Sequence, residues 1–176
     1  SPVSFYQTNP VQTEVLYYKA IEYADLQGKE TLLDLYCGIG TIGIFASKKV
    51  KKVYGIEIVE QAVEDAKENA KLNNVDNIEF LCDVETTLEQ VLEKSGIPDV
   101  IFVDPPRRGL DVKTVQNILK VKTKKLIYIS CNPATMVRDL KMLEETYEIK
   151  MVQPVDMFPF THHVEVVTLL ELKSYQ

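Results

Sequence analysis

The chain has no tryptophan, only two histidines and only three cysteines among its 176 residues. Cys37, Cys82 and Cys131 are odd in number and far apart, and no C-x-x-C occurs. That spacing lacks the signatures of a zinc site or an iron–sulfur cluster, and unpaired thiols fit a reducing, cytosolic setting. The histidines, His162 and His163, are adjacent. Neighbours on a strand point to opposite faces and no third ligand is spaced nearby, which argues against a metal site. No apolar run approaches the ~20 residues of a membrane helix. The start, S-P-V-S-F-Y-Q, lacks the basic and apolar segments of a signal peptide, and it lacks an initiator Met, as a fragment or a processed chain would. A basic excess is missing too. The net charge is −6, so general affinity for nucleic acid is not expected, and any RNA contact would need a local patch or a region outside this sequence.

What is present begins with an ordinary globular composition, 45% hydrophobic and 26% charged, in a length that suits one domain over residues 1–176. The organising stretch is Thr31 to Gly43, T-L-L-D-L-Y-C-G-I-G-T-I-G. An apolar run ends at Asp34 and Tyr36, glycines follow at Gly38, Gly40 and Gly43, and a helical run continues from Ile42 to Lys49. This pattern predicts strand, glycine turn and helix N-terminus, the opening of an α/β nucleotide-binding sheet. Glu57 lies where an acid that binds ribose hydroxyls belongs. A dinucleotide and S-adenosylmethionine both satisfy the glycines. Asp34 favours the second, because its carboxylate would repel a pyrophosphate and attract an ammonium or sulfonium. A turn that merely packs helix on strand is the plain alternative.

Along the chain, Asn9-Pro10 predicts a helix start, with the helix running to about Tyr23 and Val11, Val15, Leu16 and Ala20 on its inner face. Gln7 in the lead reads most simply as a loop amide that closes a cap. Strands are predicted at Lys52–Ile58, Ile78–Cys82, Asp99–Val103, Lys125–Ser130, Tyr147–Val155 and Val164–Leu172, and helices at Gln61–Leu72, Thr86–Lys94, Val112–Val121 and Ala134–Leu143. The last two strands follow one another without a crossover helix, so they are expected to be antiparallel. The prediction is a seven-stranded, mostly parallel sheet with the last strand reversed and helices on both faces.

Ligands of such sheets bind beyond the carboxyl ends of the strands. Those ends carry Asp34 and Tyr36, Glu57, Asp83, Asp104 and Cys131. Asp104-Pro105-Pro106-Arg107 is a rigid turn in which two prolines remove donors and leave carbonyls and a carboxylate for a planar ligand. In Ser130-Cys131-Asn132-Pro133 the thiol precedes a helix, whose positive end is expected to lower its pKa toward neutrality. Cys37 and Cys82 read as buried structural cysteines. Glu165 is a lone acid at the start of the apolar strand V-E-V-V-T-L-L, costly to bury unless it faces a cleft. A half-buried carboxylate there has a raised pKa, which suits a general base.

F-Y-Q-T-N-P, D-L-Y-C-G-I-G-T, D-P-P-R-R-G, S-C-N-P-A-T and D-M-F-P-F-T-H-H-V-E together resemble the ordered motifs of the RNA uracil-5-methyltransferases. These are S-adenosylmethionine-dependent enzymes that make 5-methyluridine in transfer and ribosomal RNA. The resemblance covers essentially the whole chain and implies a Rossmann-like class I methyltransferase fold. It implies Cys131 as nucleophile, Glu165 as base, and Gln7, Tyr36, Gly38, Gly40, Thr41, Glu57, Asp83 and Asp104 around S-adenosylmethionine. Thr41 stands where family members often carry Asn. Members usually add an N-terminal OB-type RNA-binding domain and sometimes an iron–sulfur cluster. Neither is in this sequence, which therefore reads as the catalytic domain.

The implied chemistry accounts for the residue set. A thiolate adding to carbon 6 of uracil makes carbon 5 nucleophilic, and a base must remove the carbon 5 proton before the thiol leaves. Arg107 or Arg108 would hold a phosphate of the RNA while its base is turned out of the stack. An exocyclic-amine methyltransferase would use Asp104-Pro105-Pro106 without Cys131. A nicotinamide-dependent oxidoreductase would leave D-P-P-R and S-C-N-P unused, and a non-catalytic module would bind cofactor or RNA without turnover. RNA is expected to bind this chain weakly, through clusters such as Arg107-Arg108 and Lys120 to Lys125.

Overall fold

Four strands of this chain are apolar on both faces, which a parallel sheet requires when helices cover it on both sides. The computed structural model describes residues 10–82, 85–157 and 164–174. Strands β1 (Thr31–Leu35), β2 (Lys52–Glu57), β4 (Val100–Val103) and β5 (Lys125–Ser130) form the buried centre. β3 (Ile78–Cys82) closes one edge, and β6 (Tyr147–Asp156) and β7 (Val164–Leu172) complete the other. The order is β3-β2-β1-β4-β5-β7-β6. All pairings are parallel except those of β7, which runs antiparallel to both β5 and β6. The predicted sheet and its one reversed strand are therefore found.

Helices α1 (Pro10–Ala24), α2 (Thr41–Ala46) and α3 (Glu60–Leu72) cover one face, and α4 (Glu85–Ser95), α5 (Val112–Val121) and α6 (Pro133–Leu143) the other. The first layer buries Leu16, Tyr17, Ala20 and Ile21 of α1 against Phe102, Ile127, Ile129 and Val167. The second buries Val115, Ile118, Leu140 and Leu143 against Leu33, Ile101, Leu126 and Tyr128. Each such aliphatic or aromatic side chain contributes about 1.5–3 kcal/mol on leaving water. Val15 differs from its predicted inward place. It is 38% exposed, because the buried stripe of α1 runs through Leu16, Tyr17, Ala20, Ile21 and Ala24.

Two helix starts matter for the site. The Asp111 carboxylate caps α5 by accepting the Thr114 N–H at 2.8 Å. Asn132 caps α6, its side-chain oxygen accepting the Ala134 N–H at 3.1 Å, with Pro133 at the first helical position. Caps of this kind contribute about 1 kcal/mol each. Among the described residues no helix is long and apolar enough to cross a membrane.

Candidate active site

The strand order reverses between β1 and β4, and the carboxyl edge of the sheet at such a switch point is where open α/β folds bind ligands. One half of that edge is the glycine turn. Tyr36, Gly38 and Gly40 all have positive φ, at 58°, 55° and 84°. The glycines serve different ends. A Cβ on Gly40 would lie 2.5 Å from Cζ of Phe80, and one on Gly43 would crowd Ile78, Asp34 and Val53. Helix-on-strand packing is thus enough to account for Gly40, and it favours glycine at Gly43. A Cβ on Gly38 would meet nothing within 4 Å, so its backbone faces open space.

Glu57 ties this turn to β2. Its Oε1 accepts the Gly38 N–H at 3.2 Å, and its Oε2 accepts the N–H groups of Ile58 at 2.6 Å and Val59 at 3.0 Å. The half-buried carboxylate is therefore fixed in orientation, with lone pairs left over. The Tyr36 hydroxyl turns the other way, donating to Asp111 Oδ2 at 2.8 Å, with Thr114 Oγ1 at 3.2 Å. Burial, with the neighbouring Asp111 carboxylate, pushes its pKa up to about 12. Thr41 lines a groove of about 640 Å³ between α1, α2 and α3, together with Tyr18, Phe45 and Asn69, on the outer side of α2.

Asp34 corrects the sequence reading. Its carboxyl was expected to meet a cationic ligand group, but it is fully buried beneath the turn and neither oxygen has a hydrogen-bond partner. Burial, then the charges of Asp104 and Glu57, hold its pKa well above the carboxylate range, against the opposing effect of the Gly43 amide. Its period-two place in β1 aims it into the core with Leu32, not out of the sheet's edge.

The other half of the edge is built by β4, β5 and β7. Ser130, the last residue of β5, pairs with Val166 of β7, so Cys131, one residue on, comes beside the start of β7 where Glu165 stands, and the Glu165 charge acts on the thiol. Asp104 follows Val103, which pairs with Tyr128 of β5. The three acidic groups interact. Burial pushes Glu165 up to about 7, with Arg107 opposing, and burial with the Glu165 charge pushes Asp104 up to about 7. Cys131 moves opposite to expectation. Burial first, then Glu165 and Asp104, raise its pKa above the usual thiol range, and Arg107 opposes them. The start of α6 does not outweigh two carboxyls and desolvation.

The loop after Asp104 is strapped to α6. The Arg107 carbonyl accepts from Asn132 Nδ2 at 3.0 Å and from Thr135 Oγ1 at 2.9 Å, and the Arg108 carbonyl accepts from Arg138 Nη2. Leu110 N–H donates to the fully buried Asp139 at 2.8 Å, which also accepts the Tyr128 hydroxyl at 2.5 Å. A Cβ on Gly109, at φ 84°, would fall 2.6 Å from both Arg138 and Asp139, so the loop passes too close to α6 for any other residue. The two arginines part company. Arg107 acts electrostatically on Cys131 and Glu165, while Arg108 lines a depression of about 490 Å³ with Arg138 and Met142 beside α5 and α6. Sequence reasoning missed this strap. Its signal was Asp139, an acid within the apolar stripe of Met136, Leu140 and Leu143.

Other expectations fare unevenly. Gln7 and Asp83 lie outside the described residues, as do His162 and His163. Cys37 is buried as expected, but Cys82, last residue of an edge strand, is exposed. Lys120 to Lys125 join the end of α5 to the start of β5, at the edge of the sheet opposite the crevice. Lys125 there donates to the Ala24 carbonyl at 2.9 Å. Among the described residues no three His, Cys, Asp or Glu side chains converge as metal ligands.

Comparison with known proteins places these features. The chain is 52% identical to an uncharacterized RNA methyltransferase of Oceanobacillus iheyensis over 98% of its own length and 38% of that protein's. It is 54% identical to another of Listeria innocua, over 97% of this chain and 38% of the relative. It thus spans under two-fifths of the curated relatives it matches. Among solved structures, Pyrococcus abyssi tRNA (uracil-54, C5)-methyltransferase in complex with S-adenosyl-L-homocysteine is 37% identical. It superposes with a TM-score of 0.72 over 87% of this chain and 37% of its own. The family model for tRNA (uracil-5-)-methyltransferase matches residues 2–173, and the chain belongs to that family.

Proposed function

We propose that this chain is the catalytic domain of an S-adenosylmethionine-dependent enzyme that methylates carbon 5 of a uridine in RNA, with Cys131 as nucleophile and Glu165 as general base. The observation that supports the reading is the β5–β7 register, whose last pair, Ser130 with Val166, brings the neighbouring Cys131 and Glu165 close together, with Asp104 acting electrostatically on the same thiol. A thiol and a carboxyl placed so can act on adjacent atoms of one planar ring. Family membership and the S-adenosyl-L-homocysteine complex of the Pyrococcus abyssi protein support the cofactor.

The glycine-turn half fits that cofactor. Gly38 leaves room for close approach, and Glu57, already oriented by three amides, has lone pairs for ribose hydroxyls. Tyr36 and Gly40 would offer main chain and ring rather than the Tyr36 hydroxyl, and Thr41, Gln7, Asp83 and Asp104 complete the proposed set. S-adenosylmethionine bound there supplies an electrophilic methyl group on a sulfonium.

The chain's own residues do the rest. Cys131 loses its proton and adds to carbon 6 of the uracil, and the ring electrons move to an enolate with nucleophilic carbon 5. Asp104, which titrates about 7, can take up the proton that Cys131 gives up and so stops repelling the thiolate, while Glu165 has to be ionised to act as base. Once carbon 5 has taken a methyl group, which bound S-adenosylmethionine would supply, Glu165 removes the carbon 5 proton. The carbon 5–carbon 6 double bond re-forms as the carbon 6–sulfur bond breaks, and Cys131 leaves as the thiolate. Arg107 is exposed at the cleft and can also meet a backbone phosphate. RNA recognition would be shared with the part of the relatives that this chain does not span, an OB-type domain by resemblance.

The decisive experiment incubates the protein with RNA containing 5-fluorouridine and S-adenosylmethionine. A covalent protein–RNA adduct that maps to Cys131 and needs the cofactor is expected, because fluorine cannot leave as a proton does. No adduct, with methyl transferred to an exocyclic amine, would overturn the reading.

A further inference from the structure

The strap between the Asp104–Leu110 loop and α6 has a direction. Asn132 immediately follows Cys131, and α6 starts at the next residue. Two side chains of this segment, Asn132 and Thr135, converge on one acceptor, the Arg107 carbonyl, at 3.0 and 2.9 Å. Arg138 and Asp139 then hold the next carbonyl and the Leu110 amide from the same helix. The main chain of Arg107 is thereby fixed to the segment that begins one residue after Cys131. Both donors have further anchors. Asn132 keeps its oxygen on the Ala134 amide, and the Thr135 hydroxyl also lies 3.1 Å from the Asn132 carbonyl.

We propose that Asn132 and Thr135 are positioning residues, which grip the Arg107 carbonyl so that its guanidinium stands against Cys131 and Glu165 and governs how readily the Cys131 sulfur reacts. The groups that face the sulfur are Glu165 from β7, Asp104 from the end of β4, and Arg107 from the loop. Two of these oppose the thiolate, and Arg107 alone of the three favours it. An arginine on an untethered loop could carry its charge away from the thiol, and in water screening weakens it with distance. The strap fixes where the Arg107 main chain sits, and with it the region that the exposed guanidinium can reach. The proposal rests on the uridine reading only for what the thiol attacks, since the tuning of the thiol is a property of the protein without ligands.

The test is alkylation of the protein by iodoacetamide from pH 6.5 to 10, without RNA or cofactor. Cys131 is followed by mass spectrometry of its own peptide, which sets aside the exposed Cys82. Arg107→Gln is expected to move the Cys131 midpoint upward and lower its rate near neutrality by roughly three- to tenfold. Thr135→Val, which removes the hydroxyl at nearly constant shape, should shift the midpoint in the same direction by less, and Thr135→Ser should restore it. Asn132→Ser, which keeps a capping oxygen but loses the amide donor, is the second variant should Thr135→Val fold poorly. Combined with Arg107→Gln, Thr135→Val should add nothing, because both act through one group. An unmoved midpoint in Thr135→Val or Arg107→Gln would overturn the proposal. So would an additive double variant, or a rate that changes equally at every pH, which a merely loosened loop would give. If the shifts occur but the wild-type protein makes no 5-methyluridine, the uridine reading fails and the strap stands.

Discussion

The two halves of the crevice are made of different material. At the glycine turn the polar groups are mostly main chain, and Glu57, the acid that faces out among the described residues, is already tied to three amides. At the ends of β4, β5 and β7 the polar groups are a thiol and two carboxyls whose pKa values burial raises, those of Asp104 and Cys131 further by the Glu165 charge, with an arginine as counterweight to Glu165 and Cys131. A preorganised shell of amides binds a ligand at little reorganisation cost, whereas desolvated acids with raised pKa values are poised to change protonation state. One half is built to hold, and the other to react.

Mutations should separate these roles, and the largest effect belongs to the reacting half. Cys131→Ala removes the proposed nucleophile, so methylation and the covalent RNA adduct should both be undetectable while S-adenosylmethionine still binds by calorimetry. Glu165→Gln keeps shape and hydrogen bonding but cannot accept the carbon 5 proton. Turnover should fall by ~10²–10⁴. The methylated ring should stay joined to Cys131 as a slow band on a denaturing gel with ordinary uracil RNA, a band the double variant lacks. Normal turnover in either single variant would erase the distinction between the halves.

The holding half should give a smaller and different loss. Glu57→Ala removes hydrogen bonds to a charged acceptor, worth ~1.5–3 kcal/mol, so S-adenosylmethionine should bind roughly tenfold or more weakly. Calorimetric titration checks this, and the Cys131 alkylation profile should be unchanged in the same variant. Equal affinity in Glu57→Ala would remove Glu57 from the cofactor site.

How much of this was legible depended on the range of the interaction. Strand and helix positions follow from local patterning, and the reversal of β7 follows from the missing crossover helix, so the sheet could be read before it was seen. Glu165 could be singled out because an acid opening an apolar strand is costly anywhere. Its partner could be named by motif but not by geometry, since the approach of residues 131 and 165 is set by a long-range register. The Cys131 pKa was misjudged for the same reason. A helix start is visible in Asn132-Pro133, but the carboxyls that outweigh it come from β4 and β7. Asp34 misled because burial depends on α2 covering β1, and Lys120 to Lys125 misled because a charge cluster does not reveal which edge of the sheet it occupies.

The smallest expected effect is on stability, and it tests whether the reacting half is strained by its own charges. Glu165 titrates about 7 in the folded protein, against an ordinary value of 4.5. The folded chain therefore holds this proton more tightly than the unfolded chain, and between those values it carries more bound protons. Stability linked to this group is complete below about 4.5 and falls as pH rises through about 7. Asp104 has the same sign, and part of its shift comes from the Glu165 charge. Glu165→Gln cannot ionise and also relieves Asp104. Its melting temperature should match wild type near pH 4.5 and exceed it by a few degrees at pH 8, where the native carboxyls are charged. Thermal melts of the two proteins across that range provide the measurement. A variant less stable than wild type at pH 8 would mean that ionised Glu165 is held by favourable contacts, and the division between a settled half and a charged, reactive one would not hold.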